Sequence, residues 1–345
     1  MNRPGGSPAR FPLDLCFAVA VWIAAVGLSS RSVAADAVVE TVLDGLQDPY
    51  SISIRPAAES SDPYEILVFD RGAGSIVSVR SDEPGRSTKL IGGWKAGDRA
   101  EVVLALDARH VIASSGKALL SVYALATQGE SLAADDASQT IEAPKALEPA
   151  PPRHVSAIIR TRANRHVPDM LILAMGGEGA PGGLWQVPIR ADTLGDVAPF
   201  SPASNDAARP VSALAVSNEG FIVAAEAARP DRPTPSRLTF YNPIDGSVVL
   251  RLPVDLHEIS AIACSPKSGN LYVAAMELDS ETPGVYRVDD ATRDGRRASK
   301  AVKIADVQRP AAIAFGPDGS LYVATIDDAD SAREQGTLKR IKGSL

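Results

Sequence analysis

Three recurrences predict an all-β chain closed into a six-bladed β-propeller, with the last blade completed by the N-terminal strand. An apolar run, a short Pro/Gly/Asn/Asp turn and a second strand-like run return about every 50 residues. Alanine returns at alternate positions of the first run, as in Ala213 and Ala215, Ala261 and Ala263, Ala312 and Ala314. The two ends of the chain are complementary, because one ends a strand short and the other carries a strand to spare.

The first 35 residues read as a leader rather than as fold. Arg3 and Arg10 precede an apolar run from Leu15 to Leu28, and Ser32-Val33-Ala34-Ala35 supplies the small residues that a signal peptidase accepts. Cleavage is expected after Ala35, with Ala34 or Ala37 as alternatives and an uncleaved anchor as the competing reading. The apolar run is short against the ~20 residues a membrane span needs, so a secreted or periplasmic protein without stable membrane insertion is expected. Cys16 opens the apolar run instead of following it, which argues against lipid modification there. Residues 36–345 then hold one cysteine, Cys264, so no internal disulfide can form and packing must hold the fold. Removing the leader leaves 32 basic against 41 acidic side chains, a net charge of −9. That balance repels phosphate backbones and excludes nucleic acid as an expected partner.

Six anchors, Ile52, Val102, Ala157, Ala213, Ala261 and Ala312, mark the middle of each innermost strand at spacings of 50, 55, 56, 48 and 51 residues. Four short strands and their loops need about that length. Blade one reads Tyr50–Ile54, Glu65–Phe69 and Ser75–Val79; blade three reads Val155–Ile159, Met170–Ala174 and Gly183–Val187. In blade two, Glu101–Ala105 and His110–Ala113 fit, while Thr127 to Pro152, rich in Ala, Asp, Glu and Pro, reads as an extended outer loop. Small side chains on one face of each inner strand follow from crowding near the propeller axis. The last blade shows strands near 310–316, 320–326 and 336–342 and then stops. The segment from Val38 to Leu43 is expected to pair beside Thr337–Ile341 and seal the ring.

One face of such a ring gathers the starts of the inner strands and the loops after the second strands. The starts bring Asp48, Arg99, His154, Arg209, His257, Glu258 and Arg309, of which His154, Arg209, His257, Glu258 and Arg309 form the expected ligand-binding set. His154 and His257 precede equivalent strands, and an imidazole titrates near neutrality, as a general base requires. The loops bring Asp70, Glu178, Glu226, Glu277 and Asp327, with Asp328 beside the last. Converging carboxylates suit a hard divalent ion such as Ca²⁺ with oxygen ligands; solvated loop acids, some neutralised by Arg209 or Arg309, are the alternative. Their distances from the last strand valine or leucine run from two residues at Asp70 to five at Glu178, so sequence leaves open whether they share a focus. The run Gly176–Gly183 leads into a strand, not a helix, and reads as a turn instead of a phosphate cradle.

Arg309-Pro310-Ala311-Ala312-Ile313-Ala314-Phe315-Gly316-Pro317-Asp318-Gly319-Ser320-Leu321-Tyr322-Val323-Ala324, with its parallel at Ile259–Ala274, resembles the six-bladed group of NHL-repeat and senescence-marker/gluconolactonase-like proteins. The likeness spans most of residues 38–342. It implies either a binding scaffold or a hydrolase. Gluconolactonase-like members hold one divalent ion in the channel with a first-blade Glu, asparagines and an Asp, and use it to activate water on lactones or esters. Here Pro49-Tyr50 stands near the place of that Glu. The expectation carried forward is a scaffold for a small molecule, glycan or protein on the channel face, with metal-dependent lactone or ester hydrolysis as the alternative. A quinone-cofactor dehydrogenase is a third class, for which no cofactor cage or haem motif is legible.

Overall fold

The computed structural model describes residues 37–57, 62–95, 102–114, 119–125, 131–142, 154–162, 167–177, 180–190, 193–201, 209–227, 235–276, 282–293, 296–326 and 335–345. The compact unit that holds them runs from Asp36 to Leu345. The leader expected over residues 1–35 lies outside the described residues. Among the described residues no helix is long and apolar enough to cross a membrane.

The described strands form six antiparallel-built sheets, each begun by an inner strand near the axis. The inner strands are Pro49–Arg55, Val103–Ala105, His154–Thr161, Val211–Val216, Ile259–Cys264 and Pro310–Phe315. Blade six closes as expected. Its inner strand is followed by Leu321–Thr325 and Gly336–Lys342, and Val38–Leu46 supplies the fourth strand, from Val38 opposite Lys342 to Leu46 opposite Gly336. Val42, Leu43 and Leu46 drop into an apolar cluster with Ile66, Val68 and Leu338. The closing strand therefore seals blade six and also packs against blade one.

Each of the six blade-to-blade interfaces holds one apolar cluster, so the core is a ring of six seams instead of one central mass. The alternating apolar faces of neighbouring sheets interdigitate there, and burial of these faces supplies most of the stabilisation.

Blade two corrects the sequence reading. The stretch read as outer loop contains its fourth strand, Gln139–Ile141, paired with Leu120–Ala124. It also contains Leu132–Ala133, which pairs in parallel with blade one's outer strand, Thr88–Gly92. Two and three residues are too short for an alternating pattern to show in composition, and pairing with an existing edge is what fixes them. The register of two anchors is also corrected. The ring equivalent to Ala157, Ala213, Ala261 and Ala312 passes through Ser51 and Val103, not Ile52 and Val102. Blades one and two lack the alanine that marks this position in the other four.

Candidate functional site

Five inner strands carry the same irregularity. Each has one extra residue near its start, Tyr50, Ser156, Ser212, Ser260 and Ala311, the third residue of the strand in blade three and the second in the others. A bulge re-aims the extra residue out of the ladder. The three serines use that freedom alike. Ser156 Oγ donates to the carbonyl of Val211 at 2.7 Å, Ser212 to Ile259 at 2.6 Å, and Ser260 to Pro310, each reaching the next blade. In blade one the roles reverse, and the hydroxyls of Ser51 and Ser53 accept from the backbone N–H groups of Val103 and Ala105. These bonds stitch the inner edges together around the axis, at about 1 kcal/mol apiece.

Inside that ring lies a cavity of about 210 Å³. Its walls are residues 50–52, 102–104, 156–158, 212–214, 260–262 and 311–313, three from every blade, with Met276 at one side. The wall side chains are aliphatic or hydroxylated, and none carries a charge.

Charge begins immediately above the cavity. Two residues before the bulge stand Asp48, His154, Pro210, Glu258 and Arg309, and one residue farther out stand Arg209 and His257. The carbonyls of Asp48, Pro210, Glu258 and Arg309 accept from the N–H groups of Arg71, Ala227, Met276 and Ile326, which ties this ring to the ends of the second strands. His154 pairs with Gly176 across the ladder, and its Nδ1 is shielded from solvent without a hydrogen-bond partner. Arg309 holds φ at 42°, the left-handed region that a non-glycine residue enters at a cost of about 1–2 kcal/mol. Arg209 donates to the Pro235 carbonyl at 2.9 Å. The His257 carbonyl accepts from Ser236 Oγ, while the residue itself is exposed, as is Glu258. Thus His154, Glu258 and Arg309 share one ring with Asp48; Arg209 and His257 sit one step outside it.

The acids divide differently. Asp70 and Glu226 occupy one register position, opposite Pro49 and Val211, where the other blades place Ser114, Met175, Ala275 and Thr325, all buried. Asp70 accepts from the N–H groups of Gln47 at 2.9 Å and Asp48 at 2.8 Å, and more weakly from Ala73 at 3.3 Å. Glu226 is gripped by the Arg237 guanidinium, at 2.8 Å from Nε and again from Nη2, and by Thr239 Oγ1 at 2.6 Å. Burial and then the nearby Glu226 carboxylate push the Tyr241 phenol up to about 12. Glu178, Glu277 and Asp327 lie outside the described residues. Among the described residues no group of three or more His, Cys, Asp or Glu is placed to hold a metal ion. Cys264 is half-buried, donates to the Gly269 carbonyl, and has its thiol pushed up by burial, as expected of a structural cysteine.

Sequence reasoning missed Tyr50 and the three stitching serines. A signal was available, since serine precedes the inner-strand alanine in three consecutive repeats: Ser156-Ala157, Ser212-Ala213 and Ser260-Ala261.

No family model matches the chain, and no curated protein sequence matches it. Solved structures do. A gluconolactonase from Xanthomonas campestris superposes with a TM-score of 0.54 at 12% identity, covering 91% of this chain and 93% of that one. A putative gluconolactonase gives 0.52 at 14% identity, over 90% and 93%. A glucose dehydrogenase gives 0.52 at 16% identity, over 89% and 100%. At these identities the likeness shows a shared six-bladed propeller fold.

Proposed function

We propose that this propeller takes a small molecule at the charged mouth of its axial cavity and hydrolyses it as a lactone or ester. The observation that carries this reading is a preformed cavity at the ends of the inner strands, in a fold that superposes along nine-tenths of its length on gluconolactonase structures. His154 is the proposed general base, because it stands in the ring directly above the cavity. Arg309 and Glu258 share that ring and orient the bound molecule; Arg209 and His257 widen the contact surface.

The described residues do not form a cage for a divalent ion: Asp70 and Glu226 spend their oxygens on protein donors. A Ca²⁺ or similar ion at the mouth therefore rests, in this proposal, on Glu178, Glu277 and Asp327. No step is assigned to it. The commitment of Asp70 and Glu226 also supports the second reading, a scaffold that binds a small molecule, glycan or protein on this face without turnover.

Export is part of the proposal, with residues 1–35 as signal peptide and a periplasmic or secreted mature chain of residues 36–345. The acidic balance supports a partner other than nucleic acid. Elemental analysis of the purified mature protein, followed by lactone, ester and phosphoester assays with and without chelator, separates the readings. Turnover of a lactone or ester that His154→Ala abolishes supports the hydrolase. Binding of a ligand without turnover under any metal condition supports the scaffold.

A further inference from the structure

The blade-one corner of the mouth is built more rigidly than a connecting turn requires. Asp70 fixes the backbone of Gln47 and Asp48, and the Asp48 carbonyl accepts from Arg71 N–H at 2.9 Å. Arg71 then returns its side chain, with Nε 2.6 Å from Asp48 Oδ2 and the guanidinium carbon 4.4 Å from the centre of the Tyr50 ring. Two glycines make the turn possible. A Cβ on Gly72 would stand 2.7 Å from Gln47 Cβ, and one on Gly74, at φ 55°, would stand 2.1 Å from the Trp94 carbonyl oxygen. The Arg71 guanidinium links this corner to the cavity, because Tyr50 beneath it is the bulged residue among the lining.

Tyr50 is also chemically unlike the rest of the wall. It is the one aromatic among the lining residues, at a position filled by serine in three other blades and alanine in a fourth. Those serine hydroxyls already give their protons to neighbouring carbonyls, so they offer a ligand acceptors in place of donors. The Ser51 hydroxyl accepts from Val103 N–H instead, but no wall side chain carries a charge, so the wall offers no counter-ion to an ionised group taken out of water.

The geometry points to Tyr50 as the specificity-determining contact of the cavity. The part of the ligand seated there is an uncharged ring or chain bearing hydroxyl, ester or amide groups, held against a tyrosine whose own position Arg71 fixes. This deepens the proposed small-molecule site and rests on the ligand entering the cavity, but not on its being hydrolysed.

The test is isothermal titration of the mature chain with neutral probes that resist hydrolysis, glucono-δ-lactam and δ-valerolactam, against their ionised counterparts gluconate and valerate. The neutral member of each pair is expected to bind about tenfold or more tightly. Tyr50→Ala is expected to weaken the lactams about tenfold, Tyr50→Phe less, and Arg71→Met by an intermediate factor with an unchanged melting temperature. Equal binding of acid and lactam, wild-type affinity in Tyr50→Ala, or no binding of any probe overturns the inference. Lactam binding with this pattern, but no turnover of the corresponding lactones, leaves the inference standing and removes the hydrolytic reading.

Discussion

Asp70 in blade one and Glu226 in blade four occupy the same position of the same strand, yet they are neutralised by different means. Asp70 has no cation against it in its hydrogen bonds; backbone N–H groups of the incoming chain satisfy both its oxygens. Glu226 faces the opposite way along its blade, to Arg237 and Thr239 on the third strand. One acid positions a loop and the other ties two strands. An acid at the end of a second strand is therefore not in itself a channel ligand, and its role depends on which neighbour offers donors.

Removing the closing strand tests the frame on which both acids depend. Deleting residues 36–46 exposes the edge of Gly336–Lys342 and empties Val42, Leu43 and Leu46 from their cluster. Loss of cooperative unfolding, read by calorimetry, is the expected outcome; a cooperative melt near the wild-type temperature would break the closure account.

Between the acids themselves, Glu226→Ala should be the more damaging, by about 3 kcal/mol in denaturant melts, because it removes the carboxylate paired with a mostly buried guanidinium and with Thr239. Asp70→Ala should cost about 2 kcal/mol by leaving the Gln47 and Asp48 N–H groups without acceptors. It should also weaken lactam binding through Tyr50, which Glu226→Ala should not. Equal effects on binding would erase the distinction drawn between the two corners.

Ser212→Ala removes one stitch between blades four and five and should cost about 1 kcal/mol in the same denaturant melts. A third acid sharpens the comparison at the smallest scale. Burial works to raise the Asp318 carboxyl, but the Ser320 N–H and hydroxyl, with Tyr64 and Lys267, hold it below the ordinary carboxylate value. The folded state thus binds fewer protons than the unfolded one, so this contribution is complete above the unfolded value of about 3.9 and disappears as pH falls through the lower folded value. Asp318→Asn should flatten the acid limb of the melting-temperature profile, and an unchanged limb would show that the turn contributes nothing through its charge.

Much of the fold was legible because repetition averages out local ambiguity. The alternation of Ala213/Ala215 and its counterparts marks the inner strands, and the spare strand at Val38–Leu43 matches the gap left after Lys342. Blade two resisted, since Gln139–Ile141 and Leu132–Ala133 are strands only by virtue of the edges they meet. At the site, the sequence correctly gathered the residues before each inner strand, but it could not rank Asp70 and Glu226 against Tyr50. Counting from strand ends does not reveal a bulge, and one extra residue decides which side chain faces the axis.

What the chain by itself determined is the repeat: apolar alternation with a fixed interval permits one closed array and leaves one vacancy for its own beginning. What only the tertiary structure decided is which polar groups are available, because hydrogen-bond partners come from neighbouring strands and blades far away in sequence. Asp70 and Glu226 are spent on such partners, and the Arg71 guanidinium stacked over its ring holds Tyr50 at the cavity.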